Sequence, residues 1–176
     1  MRRIKLRFEN VREVTGGDGM AVVLLTDEAR TKALSVVCDE PMARQLFMRV
    51  NTPAVCQNML PEALLKMLTS KHEMMVYGVH EGQYQVVLAE RWFERNTRLR
   101  MSDAVLLSII SDIPLYIEAN LFKQQCFPFE EGSTAVSIPI NTMDVQRLNI
   151  ALQKAIEEED YALASQIRDE IKRRNP

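Results

Sequence analysis

The segment RLRMSDAVLLSIISDIPLYI, residues 98–117, contains a strand end, a complete helix and the start of another strand. Ser102 is predicted to cap the helix with its hydroxyl, and Asp103 favours the positive end of the helix dipole. Pro114 ends the helix by Ile113, because a residue before proline is disfavoured in the helical conformation. The following run LYIEANLF, residues 115–122, is apolar enough to predict an extended segment.

The sequence upstream of this segment alternates between strand and helix periods. Residues 4–8 alternate apolar and polar, and AVVLLTDE (21–28) and KALSVVCDE (32–40) are β-branched runs typical of strands. Residues 41–70 have a helical period, and residues 74–92 read as a hairpin with its turn at 80–83. The order of three strands, two helices, a hairpin plus strand, a helix and a strand predicts an α+β fold around a mixed or antiparallel sheet.

The C-terminal part of the chain is predicted to be a separate helical unit. Residues 1–127 form the main domain, 128–143 a strand-bearing connection that ends in a linker, and 144–174 a helical hairpin. The linker contains two prolines and a glycine and has no helical period. A unit of about 35 residues is too small to be stable unless it docks on something.

A turn inside this unit is predicted from the position of its acids. Val145, Leu148, Leu152 and Ile156 form one apolar stripe, with Asn141 and Asp144 at the start of the helix. A straight helix would place Glu159 on that stripe, whereas a turn at 158–160 leaves Glu159 in water. Asp160 then caps a second helix that buries an apolar seam made by Ala164, Ile167 and Ile171.

Composition limits the classes of function. Hydrophobic residues make up 47% and charged residues 26% of the 176, which is typical of a folded globular protein. The net charge of -2 excludes a strong overall basic footprint for nucleic acid. Three widely spaced cysteines predict free thiols, and no segment approaches ~18 consecutive apolar residues. These features predict a cytoplasmic protein that does not enter a membrane.

The segment that begins at Arg98 resembles the signature of the bifunctional nuclease family. Arg100, Ser102, Asp103 and Ala104 match that family's Arg-Pro-Ser-Asp-Ala run, with Met101 in place of the proline. Residues 113–117 match its Ala-Pro-Ile-Tyr-Val strand, and the resemblance extends over about residues 4–125. It implies a bacterial protein that hydrolyses phosphodiester bonds of DNA or RNA with the help of Mg or Mn.

The segment LQKAIEEEDYALASQIRDEI, residues 152–171, resembles the UVR motif. That motif is the helical hairpin through which the B and C subunits of bacterial excision-repair nuclease meet, and it recurs as a partner-binding module. The resemblance implies a protein partner or self-association, and hence a homo-oligomer. The residues implied in this contact are Leu152, Ile156, Tyr161, Ala164, Ile167, Arg168 and Ile171. The alternative is a hairpin that docks on its own domain.

The sequence departs from the nuclease family at two places. Val55, Cys56 and Gln57 stand where the family has Thr-His-Asp, and residues 37–42 replace an Ile-Gly-x-x-Glu-Ala run. A nuclease needs groups that hold a metal or move protons, and His, Asp and Glu do this well. The replacement of His-Asp by Cys-Gln removes two such groups.

The remaining catalytic candidates implied by the resemblance lie at the start of this helix and at the end of the third predicted strand. Asp103, Arg100 and Ser102 are the predicted catalytic residues, and the predicted metal ligands are Asp103, Asp39 and Glu40. The structural alternative is that Ser102 and Asp103 cap the helix with Arg100 as an ion partner, while Asp39 and Glu40 only begin a loop.

A basic patch is the predicted contact for nucleic acid. Arg91, Arg98 and Arg100 are its members, because arginine offers a forked and permanently charged donor set to phosphates. Glu90 and Glu94 lie among these arginines, so a salt-bridged surface is the alternative.

Two function hypotheses from different classes therefore follow. The first is a metal-assisted nuclease with a protein-interaction tail. The second is a catalytically reduced scaffold or adaptor that associates with partners through residues 144–174. The replaced family residues and the acidic net charge favour the second.

Overall fold

The computed structural model describes residues 2–13, 20–67, 71–90, 96–132 and 137–174. The strands in these segments are β1 (Arg3–Glu13), β2 (Met20–Asp27), β3 (Lys32–Asp39), β4 (His72–His80), β5 (Gln83–Glu90), β6 (Asn96–Leu99), β7 (Leu115–Glu118) and β8 (Phe127–Pro128). The α-helices are α1 (Glu40–Asn51), α2 (Pro53–Cys56), α3 (Leu60–Leu65), α4 (Met101–Ile110), α5 (Ala119–Gln125), α6 (Val145–Glu157) and α7 (Tyr161–Arg174). A single 3-10 turn, Ile140–Thr142, precedes α6.

One mixed sheet contains all of these strands, in the order β6-β5-β4-β7-β1-β2-β3-β8. Within the described segments β4 and β7 are the one parallel pair, and the other neighbours are antiparallel. Consecutive strands β1 to β3 form the predicted meander, and β4 and β5 form the predicted hairpin. The predicted α+β class with a mixed sheet is confirmed.

The main core lies where α1 and α4 pack against the sheet. Leu25 and Leu34 from the meander, Met74 and Ile117 from the centre, and Leu46 from α1 are fully buried in this cluster. The burial of many large side chains on one sheet stabilises the fold, because each contributes roughly 1.5–3 kcal/mol. Tyr84 and Met101 belong to the same cluster and lie at its edge near the start of α4.

Two local predictions around α4 are wrong. Ser102 is not the cap, since the helix begins at Met101 and Arg100 occupies the N-cap position. Residues 119–122 are not extended, because β7 ends at Glu118 and α5 begins at Ala119. Glu118 causes this change of structure: its Oε2 accepts a hydrogen bond from the Leu121 N–H at 2.8 Å and so caps α5.

The C-terminal helices form the predicted hairpin with a small core of their own. Leu148, Ala155, Ala164 and Ile167 are its buried members. Asp144 caps α6 through a bond from the Arg147 N–H at 2.8 Å, and Asp160 caps α7 through a bond from the Leu163 N–H at 3.0 Å. Glu159 has a φ of 57°, in the left-handed region, and makes the turn between the two helices.

The hairpin and the connection before it lie against the turn between β4 and β5. Glu81 and Gly82 both have positive φ, as the tight turn of a β-hairpin requires. A Cβ on Gly82 would lie 2.5 Å from the Met143 carbonyl oxygen and 3.0 Å from Arg174 Nη1. Only glycine permits this approach, so the turn and the helical hairpin are in close contact.

Candidate functional site

Three helices begin at one cleft of about 320 Å³. The N-cap residues of α1, α4 and α6 are Asp39, Arg100 and Asp144, and each of them lines this cleft. The ends of β3 and β6 deliver the first two, and the connection after β8 delivers the third. Each helix N-terminus carries a partial positive charge, so three such partial charges lie around the cleft.

The three helix starts are not equivalent. Asp39 Oδ1 accepts a hydrogen bond from the Met42 N–H at 2.8 Å, and Asp144 caps α6 in the same way. The start of α4 has no side-chain capping bond among the described residues. The first N–H groups of α4 have no partner within the helix, as at every helix start, and Ser102 in this first turn lines the cleft.

The predicted catalytic residues Arg100 and Asp103 form a two-bond ion pair. Arg100 Nε lies 2.7 Å from Asp103 Oδ2, and Nη2 lies 3.0 Å from Oδ1. The hydrogen bonds that Arg100 donates to Asp103, together with the charge of Asp103, raise the pKa of Arg100 above its ordinary value, and the charge of Asp39 adds to this effect. Arg100 and Ser102 line the cleft, with Asp103 holding the guanidinium from the first turn of α4.

The predicted metal ligands do not form a cluster. Asp39 is the cap of α1, and Glu40 pairs with Arg44 one turn along the same helix. The segments that the structure describes contain no group of three or more His, Cys, Asp or Glu that could hold a metal ion. A metal held by Asp103, Asp39 and Glu40 stays a prediction.

The predicted basic patch is only partly described. Arg98 is exposed on β6, where it pairs with Val87 of β5, and Arg100 lies beyond the strand end. Arg91 lies outside the described residues. The contact of these arginines with nucleic acid stays a prediction.

Cys38 and Cys56 are both unsuited to nucleophilic chemistry. Cys56 is buried in α2, in the stretch where the nuclease family has Thr-His-Asp. Cys38 lines the cleft, but burial, together with the charge of Asp39, raises the pKa of its thiol to about 11. The thiol is therefore protonated at neutral pH, and the thiolate is the reactive form.

Tyr84 is a cleft residue that the sequence did not identify. It is 6% exposed and lines the cleft, and its hydroxyl has no hydrogen-bond partner among the described residues. Burial raises the pKa of this hydroxyl above its ordinary value, so it remains a donor at neutral pH. A tyrosine in an alternating strand is typical of a core position, and no local signal distinguishes this one.

The hairpin divides its predicted interaction residues into two sets. Ala164 and Ile167 are buried in the hairpin's own core, and Leu152 and Ile171 pack partly against it. Ile156 and Tyr161 are 47% and 68% exposed, and Arg168 is exposed beside Asp169. Ile150, at 71%, is a further exposed apolar residue that the sequence did not single out. The exposed set is the part that another protein can reach.

Arg174 fastens the end of α7 to the connection before α6. Its guanidinium donates to the carbonyl oxygens of Met143 and Asn141, the latter at 3.1 Å. Glu170 positions it, since Arg174 Nε donates to Glu170 Oε1 at 2.8 Å. Hydrogen bonds from Arg173 and Arg174 hold the pKa of Glu170 below its usual range.

Comparison with known families identifies this hairpin. The family described as the UvrB/uvrC motif (UVR) matches residues 145–173, which confirms the predicted motif and covers α6 and α7. The UVR motif supports a role in interaction with protein or DNA. No curated protein matches the chain, and no family match supports a bifunctional nuclease domain in the rest of it. Among the described helices, none combines the length and hydropathy that a membrane crossing requires.

Proposed function

We propose that this chain is an adaptor that uses its C-terminal hairpin to bind a helical segment of another protein or of a second copy. The match to the UvrB/uvrC motif supports this proposal, together with the exposure of Ile150, Ile156 and Tyr161 on that hairpin. An amphipathic helix of a partner could bury these side chains, since helix-in-groove contacts use apolar anchors at helical spacing. The sheet domain then acts as the platform that carries the hairpin.

Charge at the hairpin turn favours a partner with basic residues. Residues 157–160 are four consecutive acids, and all four are exposed. Their summed charge steers a positively charged surface toward the hairpin and increases the association rate more than the affinity. The partner is therefore expected to present an apolar helix face flanked by Lys or Arg.

Deletion of residues 141–176 tests the adaptor function. The truncated chain is expected to retain its sheet by circular dichroism but to lose self-association in sedimentation velocity, or to lose the proteins captured by the full chain. Ile156→Ser with Tyr161→Ser is the sharper variant, because both side chains are exposed and their replacement leaves the hairpin core intact. If full chain, deletion and double variant have the same oligomeric state and capture the same proteins, the adaptor function is wrong.

A second candidate function is metal-assisted hydrolysis of phosphodiester bonds in DNA or RNA. It is supported by the position of Asp39, Arg100 and Ser102 in one cleft. In this candidate Mg or Mn would neutralise the phosphate charge, and Arg100, held by Asp103, would orient the phosphate. A nuclease assay with each metal should then show cleavage that Asp103→Ala removes. Equal background cleavage by both proteins would exclude this function.

A further inference from the structure

The cleft at the three helix starts contains hydrogen-bond donors that could bind an anion. No side chain among the described residues accepts from these donors. The start of α4 is without a side-chain cap, whereas carboxylates cap α1 and α6. The Tyr84 hydroxyl, buried beside the same cleft, has no partner among the described residues. A buried donor without an acceptor destabilises the folded chain, so an acceptor from outside the chain would recover that free energy.

Arg100 and Arg147 line the cleft, and Arg147 pairs with Asp144 at 3.3 Å. Arg100 uses Nε and Nη2 for Asp103, which fixes the plane of the guanidinium and leaves Nη1 for a ligand. Ser102 contributes a hydroxyl at the first turn of α4. Backbone N–H groups at a helix start combined with an arginine are a frequent phosphate-binding arrangement.

The acidic groups of the cleft favour an anion that also carries hydroxyl groups. Asp39 and Asp144 each use one carboxylate oxygen for a helix cap, and Glu81 lies exposed at the rim. A bare polyanion would be repelled by these carboxylates, whereas hydroxyl groups would donate hydrogen bonds to the second oxygen of Asp39 and to Glu81. The second oxygen of Asp144 pairs with Arg147 Nη1 at 3.3 Å. The size agrees, because about 320 Å³ is at the small end of the range for ligand sites and suits a compact molecule better than a polymer.

We propose that this cleft binds a small phosphate monoester of a hydroxyl-rich molecule, such as a sugar phosphate. The phosphate lies at the start of α4 with Arg100, Ser102 and Tyr84, and the hydroxyl groups face Asp39 and Glu81. Thr142 and Arg147 from the hairpin side also line the cleft, so a bound ligand joins the hairpin to the sheet domain. This site is separate from the adaptor function, and it requires neither a metal nor hydrolysis.

Calorimetric titration of the full chain in the presence of EDTA tests the site. Ribose 5-phosphate, inorganic phosphate and ribose are the three probes. Ribose 5-phosphate is expected to bind, inorganic phosphate to bind at least ten-fold more weakly, and ribose to give no heat of binding. Binding of ribose equal to that of its phosphate, absence of binding by ribose 5-phosphate, or equal affinity for inorganic phosphate would each overturn the proposal.

Three variants assign the binding to this cleft. Arg100→Gln is expected to weaken ribose 5-phosphate binding at least ten-fold, whereas Lys123→Gln, which removes the same charge from the exposed side of α5, leaves it unchanged. Tyr84→Phe removes only the unpartnered hydroxyl, so the variant should fold as well as the parent and still bind several-fold more weakly. Equal affinities of Tyr84→Phe, Lys123→Gln and the parent would overturn the proposal even if Arg100→Gln fails to fold. These titrations depend neither on nuclease activity nor on self-association. A negative result for either proposed function would therefore leave the binding result unchanged.

Discussion

Arg49 is a charged side chain buried under the helical layer, at 1% exposure. Its Nε lies 2.7 Å from Glu62 Oε1 and its Nη2 lies 3.1 Å from Oε2, so α1 and α3 are joined by a two-bond pair. None of the six residues of α3 is fully buried, so α3 has little apolar packing of its own. The bonds between Glu62 and Arg49 therefore hold α3 to α1. Removal of one member of a buried pair leaves an uncompensated charge.

Glu62→Ala is therefore expected to lower the free energy of unfolding by about 3 kcal/mol. Glu28→Ala, which removes the exposed partner of Lys5, is the matched control and should cost less than about 1 kcal/mol. Urea unfolding followed by circular dichroism measures both. Equal losses in the two variants would contradict the assigned role of Arg49.

Glu170 makes the stability of the hairpin depend on pH. Hydrogen bonds from Arg173 and Arg174 hold its pKa below the ordinary 4.5, so the folded state favours the ionised carboxylate. A carboxyl group with a lowered pKa contributes stability above its unfolded pKa, and that contribution is lost as the pH falls through the folded value. The relevant window therefore lies below 4.5.

Glu170→Gln is expected to destabilise the chain at pH 7 by roughly 1.5 kcal/mol and to reduce the loss of stability between pH 5 and 3. Glu157→Gln is the control, because it removes the same charge from an exposed position on α6. Urea unfolding across this pH range gives the comparison. A pH profile of Glu170→Gln that is parallel to that of the parent would exclude the assigned contribution.

The turn between α6 and α7 stores backbone strain at one residue. Glu159 has a φ of 57°, and its neighbour Glu158 has a φ of -84°. A residue with a Cβ pays about 1–2 kcal/mol in the left-handed region, which glycine avoids. Glu159→Gly should thus stabilise the hairpin by up to about 1 kcal/mol, whereas Glu158→Gly should destabilise it. Thermal unfolding of the two variants gives opposite shifts in Tm if the turn is as described, and shifts of the same sign if it is not.

Local signals in the sequence predict some elements and miss others. The turn at 158–160 was predictable because a straight helix would place Glu159 on an apolar stripe. A turn at this point leaves Glu159 in water, and the structure has that turn. The start of α4 was predicted two residues late, because Ser102 is a good cap by type but Arg100 holds the position. Helix α5 was missed because Glu118 acts as a cap only once the strand before it has ended.

The α+β class and the mixed sheet follow from hydrophobic period, but the site does not. Asp39, Arg100 and Asp144 are far apart in the sequence, and the pairing of β4 with β7 and the contact of Gly82 with Met143 bring them together. Asp39 and Arg100 were predicted as parts of one metal-assisted site on the nuclease resemblance, whereas Asp144 was predicted only as the start of a helix. Tyr84 was indistinguishable from an ordinary core residue, since its missing partner is a property of the folded molecule.

The UvrB/uvrC match and the exposed apolar residues fall on the same two helices, so the hairpin is the part of the molecule expected to bind a partner. Replacement of Tyr161, which is exposed, by a photo-crosslinking phenylalanine analogue places a reactive ring at the start of α7 with little change in shape. The same replacement at Tyr77, exposed on β4, is the matched control.

Irradiation of cells that contain either protein, followed by separation by mass, is the most direct test. The adaptor function predicts one or a few discrete adducts from position 161, to a second copy or to another protein, and far weaker ones from position 77. No adduct from position 161, or the same adducts from both positions, would contradict it.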